Sequence, residues 1–184
     1  MGKTIGTVAL ACALGGMVLV GTATRTASAE RTSPTVALRA LRGEIVAYRR
    51  VTWHWERVMG VRRTAVSSSE RRVADVAYRR WVRNLWKLRA VAVKRRARRP
   101  PHFASWRCIQ RFEASWHANT GNGYYGGLQM DLQFQRSYGY GLLRRKGTAD
   151  RWSPLEQMWV AERAHRSGRG FAPWPNTARM CGLL

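Results

Sequence analysis

Glu113 lies in the run "FEASWHANTGNGYYGGLQMD", Phe112 to Asp131, with Phe112, Ala114 and Trp116 as its neighbours. A carboxyl set among apolar side chains can be kept protonated near neutral pH, and a protonated carboxyl can act as general acid. The same residue also suits a structural ion pair, with Arg111 as the nearest partner. Residue type and spacing leave these two readings level. Behind Glu113 come Trp116, Tyr124 and Tyr125, flat rings with polar tips of the kind that stack on sugars. Gly121, Gly123, Gly126 and Gly127 would let backbone approach a ligand closely. Asn119, Thr120, Asn122 and Gln129 add neutral donors and acceptors. A hairpin that packs its aromatics into a core would show the same pattern.

The other acids of this half have simpler roles in view. Glu156 follows Ser153-Pro154 at capping-box spacing. Glu162 stands beside Arg163 and Arg166 as a surface ion-pair member, and Asp150 falls in a polar loop. Asp131 is either the cap of a following helix or a second carboxylate. His54, His102, His117 and His165 are scattered, and no metal-ligand spacing, phosphate loop or Ser/His/Asp pattern appears. No metal and no cofactor is expected.

The elements that must hold these residues divide by composition. Residues 34–97 are rich in Arg, Val, Ala and Trp. Leu38, Leu41, Ile45, Tyr48, Trp55 and Met59 follow helical spacing after Ser33-Pro34, and Gly60 ends the run. A second helix is expected from about Glu70 to Arg96, with Ser69 as cap and Ala77, Trp81, Leu85, Leu88 and Ala92 as its buried stripe. A polar loop between them suggests an antiparallel hairpin, residues 30–93. "KRRARRPPH", Lys94 to His102, reads as an Arg/Pro linker. From Phe103 onward short helices and turns replace long stripes, giving a second domain over 103–184 and a mainly α or α+β chain. With two cysteines in this part, an intrachain Cys108–Cys181 bond is expected; unpaired thiols or an intermolecular bridge are the alternatives.

"NTGNGYYGGLQ", Asn119 to Gln129, resembles the signature of the resuscitation-promoting factor family, whose domain is a small lysozyme-like, transglycosylase-like fold. Trp116 before Asn119, Trp106 ahead of Glu113, "EQMWVAERA", and Trp174-Pro175 followed by Cys181 and Gly182 are similar to further parts of that domain, over about residues 103–184. Two departures stand out. The family usually carries "CESGGNW" where this chain has "FEASW". Phe112 therefore takes the cysteine's place, and Cys108 sits one helical turn earlier. The resemblance implies that Glu113 is the catalytic acid. It implies that Trp116, Asn119, Thr120, Tyr124, Tyr125, Gly127, Gln129 and Trp174 contact glycan. It also implies cleavage of peptidoglycan strands by single-carboxylate lytic transglycosylase chemistry, or muramidase hydrolysis if Asp131 takes part. A catalytically degenerate module that binds wall glycan or an anionic envelope surface is the alternative.

The chain has 33 Lys and Arg against 10 Asp and Glu, a net charge of +23. Residues 1–29 read as a secretory signal peptide, with an uncleaved membrane anchor as the alternative: Lys3, then an uncharged apolar run from about Ile5 to Val20, then Ala27-Ser28-Ala29 as a small-residue cleavage site. Losing Lys3 and Arg25 would leave +23 minus 2, or +21. Such charge points to a polyanionic partner. Export argues against nucleic acid and for anionic wall polymers reached through the basic hairpin. A secreted, wall-associated monomer is expected.

Overall fold

The computed structural model describes residues 33–184. The expected signal peptide lies outside them. Helix α1 spans Pro34–Met59, with the Ser33 hydroxyl accepting from Val36 N–H and Gly60 closing the far end. A short α2, Ser68–Arg72, opens on a capping box between Ser67 and Glu70. Helix α3 spans Val76–Ala97, and its cap is Asp75, which accepts from Tyr78 N–H at 2.7 Å. The single helix expected from Glu70 is thus two helices, capped by Ser67 and Asp75 and not by Ser69. Asp75 lies inside the expected run. Its carboxylate competes for backbone N–H groups and starts a new helix.

The long helices pair, but they run in the same direction. Glu44 lies 3.7 Å from Arg83, Arg49 stacks on Trp86 at 5.0 Å, and Thr52, Glu56 and Met59 share a groove with Arg89, Val93 and Arg96. Positions rise together along both helices. Residues 61–75 make the return trip along α1. Trp53 Nε1 donates to Thr64 O at 2.9 Å, Thr64 N–H donates to Glu56 at 2.9 Å, and Arg49 donates to Glu70 at 2.7 Å. The expected antiparallel hairpin is corrected accordingly. The connection is long enough to reverse: extended, it reaches roughly 50 Å, while α1 is about 39 Å long.

Glu70 decides which face of α3 is buried. Its carboxylate accepts from the Trp86 indole at 2.6 Å, and its carbonyl accepts from Arg79 at 2.8 Å. Burial would raise its pKa, but the bonds from Trp86, Arg49 and the Ser67 backbone hold it below the ordinary carboxylate value. The buried residues of α3 are therefore Arg79, Val82, Trp86, Ala90, Val93 and Ala97. The expected stripe is on the opposite side, with Trp81 and Leu88 in solvent.

The expected linker at 94–102 is helical as far as Ala97. Ala97 is fully buried and its carbonyl accepts from Trp159 Nε1 at 2.7 Å. Val58, Met59, Val93 and Ala97 share one core with Trp106, Trp152, Trp159 and Trp174. Residues 32–184 therefore form one compact unit rather than two modules on a tether.

The rest follows as helix α4, Phe103–Glu113, then strands β1, Tyr124–Tyr125, and β2, Met130–Asp131. The strands pair antiparallel, with Tyr124 opposite Asp131. Helices α5, Leu132–Lys146, α6, Pro154–Ala164, and α7, Pro175–Met180, complete the chain. The expected mainly α architecture is observed. The Cys108–Cys181 disulfide ties α4 to the end of α7. Among the described residues no helix is long and apolar enough to cross a membrane.

Glu156 makes the expected capping box with Ser153, and also accepts from Lys146 Nζ at 2.7 Å and faces His54 Nε2 at 3.2 Å. Burial would raise its pKa, but His54, Lys146 and the Ser153 N–H outweigh burial and lower it from 4.5 to about 2. A depressed folded pKa means the carboxylate's contribution is complete above about pH 4.5 and is lost as pH falls through about 2. Urea midpoints measured from pH 6 to pH 2 should fall over that window, and Glu156→Gln should flatten the fall. A second outcome concerns α1. Met59→Ala should lower the stability of the whole unit by about 2–4 kcal/mol, in one transition. Two transitions, only one of them moved, would show the helices to be a separate module.

Candidate active site

Glu113 is the last residue of α4, because Ala114 turns to extended backbone (φ −166°, ψ 175°). The helix is fixed from below. Ile109 is fully buried, and Trp106 donates its indole N–H to Glu162 at 2.8 Å. Glu162 is fully buried and also accepts from His102 N–H at 2.7 Å, with His102 Nδ1 at 3.1 Å. The surface ion pair expected for Glu162 is corrected by this. Its neighbour Arg166 turns away to donate to Met59 O at 2.7 Å. At the open end of α4 the Thr177 hydroxyl donates to Glu113 Oε1 at 2.7 Å. Thr177 is on α7, which the disulfide holds against α4.

Glu113 opens onto a groove of about 300 Å³ formed with Asn122, Tyr124, Gln129, Trp174 and Asn176. A second pocket of about 280 Å³ shares Tyr124, Gln129, Pro173 and Trp174 and adds Asp131, Gln133 and Arg169. The shared residues make the two continuous. One side is Tyr124 on β1; the other is the Pro173-Trp174-Pro175 segment that leads into α7.

The glycine-rich turn is held by a side chain from α6. Gln157, fully buried, accepts from Gly127 N–H at 2.9 Å and donates to Trp116 O at 2.7 Å and Ala149 O at 2.9 Å. Gly126 has φ +74°, and a Cβ there would lie 2.5 Å from the Gln157 amide oxygen. A Cβ on Gly127 would lie 2.8 Å from the Trp116 ring. These two glycines are required by close approach and, at 126, by backbone conformation. Gln129 follows with φ +44°, the one non-glycine residue with positive φ among the described residues. Its side chain donates to Gly126 O at 2.8 Å. Strain of this kind persists where surrounding contacts over-determine it. Here it turns Gln129 to the groove wall.

The residues expected to form the site separate into two groups. Glu113, Tyr124, Gln129 and Trp174 line the groove. Trp116 and Tyr125 are half-buried and pack against the core, Gly127 is buried beneath the turn, and Asn119 and Thr120 are exposed before β1. Trp174 lines the groove as part of the core. It donates to Leu128 O at 2.7 Å and packs on Trp106 at 5.1 Å between ring centroids. Asp131 accepts from Phe134 N–H at 2.6 Å and so caps α5 at the groove edge. Thr177, Asn176 and Gln157 were not anticipated. Gln157 had a signal: an amide inside the apolar run "PLEQMWVA" has to find partners if buried.

Residues 102–177 match the family model described as a transglycosylase-like domain. The chain is 39% identical over 80 residues to resuscitation-promoting factor RpfE of Mycobacterium tuberculosis, covering 42% of this chain and 41% of that protein. It is 35% identical over 72 residues to resuscitation-promoting factor Rpf1 of Corynebacterium glutamicum, covering 38% and 34%. Rpf2 of the same organism is 35% identical over 69 residues, covering 38% and 18%. The chain thus spans less than half the length of each of these relatives.

Gln157→Leu should cost about 4 kcal/mol, because it strands the Gly127 N–H and the Trp116 and Ala149 carbonyls without partners. Gln133→Leu, at an exposed groove position, should change stability by less than about 0.5 kcal/mol. Urea titration of both variants checks the contrast.

Proposed function

We propose, on the premise that residues 102–177 are a transglycosylase-like domain, that this protein cleaves the glycan backbone of peptidoglycan with Glu113 as its acid. The observation that carries the reading is the placement of Glu113. It ends a rigid helix, faces a groove with Tyr124 and Gln129 on the wall, and receives one hydrogen bond, from Thr177. The matched family model is described as transglycosylase-like, which favours a glycan as substrate.

The mechanism follows from the groups available. Glu113 gives its proton to the glycosidic oxygen between N-acetylmuramic acid and N-acetylglucosamine. As a carboxylate it then takes the proton from the 6-hydroxyl of the same muramic residue. That hydroxyl closes an anhydro ring and replaces water as nucleophile. An internal nucleophile already in place substitutes for a positioned second carboxylate. Two-carboxylate hydrolysis would need a partner acid across the scissile bond. Asp131 borders the groove, but its Oδ1 is taken by the Phe134 N–H, which favours the single-acid route. Trp116, Asn119, Thr120, Tyr125 and Gly127 belong to the proposal as glycan contacts or as the frame of the turn. Trp174 serves as the floor of the groove. Secretion through residues 1–29 belongs to the same proposal, since the substrate lies outside the cytoplasm.

A non-cutting glycan binder is the second reading. It is favoured by the partial exposure of Glu113 and by the short "FEASW" segment that follows it. Mass spectrometry of purified peptidoglycan after incubation separates the readings. Anhydro-muramic products should form, and Glu113→Gln should reduce their rate by about 10²–10⁴-fold. Reducing-end products that also depend on Asp131 would move the chemistry to hydrolysis. Absence of any product from folded protein that still binds glycan would establish the binder.

A further inference from the structure

We propose that the outer face of α3 docks on the surface of an anionic lipid bilayer. Trp81 is 55% exposed, Leu88 68% and Val91 57%. Three- and four-residue spacing puts Trp81, Leu85, Leu88 and Ala92 on one side of the helix. None of the four is among the buried residues of α3, although Leu85 is half-buried and Ala92 borders the groove shared with α1. Scattered single apolar residues on a surface need no partner, but a continuous stripe does.

The charges beside the stripe identify the partner. Arg80, Lys87 and Lys94 recur every seven residues along one border, and Arg89 and Arg96 mark the other. Helix α3 contains no acidic residue. A second copy of this chain would bring like charges together across the stripe, and the chain as a whole carries +23. A soluble polyanion would satisfy the cations and leave Trp81 and Leu88 in water. An anionic bilayer meets both needs. Headgroup phosphates take the Lys and Arg side chains while the indole and leucines enter the boundary with the acyl chains. α3 would lie in the plane of the surface, consistent with a helix that is not apolar enough to cross it. This docking does not depend on the glycan-cleaving reading.

The test is co-sedimentation with vesicles, using the full chain and the chain from Glu30, which contains the whole compact unit Thr32–Leu184. The shorter chain removes the apolar stretch between residues 5 and 20 as a competing anchor. The vesicles are pure phosphatidylcholine, or phosphatidylcholine with roughly a third phosphatidylglycerol. Expected is binding to the anionic vesicles that is at least about tenfold tighter than to neutral ones and weakens with salt. Trp81→Gln with Leu88→Gln should reduce that binding by about tenfold or more. Met180→Gln, an exposed apolar position on α7, should leave it unchanged. Circular dichroism and the unfolding midpoint confirm that each variant is folded. Because both stripe residues are exposed, the double variant keeps its fold. Equal binding by the double variant and its parent overturns the proposal in favour of charge alone. A concentration-dependent dimer that the double variant abolishes overturns it in favour of a second copy.

Discussion

The side-chain amide of Gln157 is the contact on which the geometry of the groove depends. One buried group joins three segments distant in sequence: the glycine turn through Gly127, the chain after α4 through Trp116, and the short turn before α6 through Ala149. In a medium of low dielectric an amide with its donors and acceptor all engaged is directional and stiff. The directionality explains the sequence around it. Gly126 and Gly127 must lack a Cβ because the amide and the Trp116 ring occupy that space. Gln129 can then take a strained backbone conformation, because the turn behind it cannot relax. The groove wall is thus built outward from α6.

The few acids of this very basic chain are mostly used for structure, and Glu113 stands apart from them together with the half-buried Asp150, whose Oδ1 has no hydrogen-bond partner among the described residues. Among the described residues, Glu56, Glu70, Glu156 and Glu162 are buried and hydrogen-bonded to donors from other segments. Asp75 and Asp131 cap helices, and Glu44 pairs with Arg83. A buried carboxylate is costly unless its lone pairs are filled, and arginine-rich helices supply donors in excess. Glu113 differs in kind. It stands at a helix end, at a groove, with one hydroxyl as its partner. Arg111, the residue that could have made it a structural ion pair, is exposed and forms no salt bridge with it.

Local signals are legible at several positions where one residue type acts on its own backbone, though Ser69 does not cap a helix. Ser33-Pro34 and Ser153-Pro154 started helices, Gly60 ended one, and Cys108 found Cys181. Tertiary choices were less legible. α3 has two apolar faces, one of Trp81, Leu85 and Leu88 and one of Val82, Trp86 and Val93. Periodicity cannot choose between them. The choice is made by Glu70, whose carboxylate reaches only the Trp86 side. The same contact draws the connecting segment back along α1 and sets the parallel direction of the helices. Glu162 was misread for a similar reason. Its sequence neighbours are cations, yet on α6 it faces inward to Trp106 and His102, and no local pattern reports that. In the groove, Tyr124 and Gln129 belong to the uninterrupted run Asn119 to Gln129 and Glu113 lies ahead of it, whereas Thr177 has no local signal because its partnership with Glu113 spans 64 positions.

Helix α6 connects the two halves of the molecule physically. Gln157 points to the glycine turn, Trp159 to the end of α3, Glu162 to the start of α4, and Arg166 just beyond the helix to the end of α1. The long basic helices therefore contribute core to the groove-bearing domain, and Val58, Met59, Val93 and Ala97 close the side of α6 that the groove does not use. About 80 residues alone bury a modest core. Packing the ends of α1 and α3 against α6 enlarges it without adding anything to the groove. That arrangement leaves the remainder of α3, with its exposed apolar stripe and its cations, clear of the groove and free to meet a surface of its own.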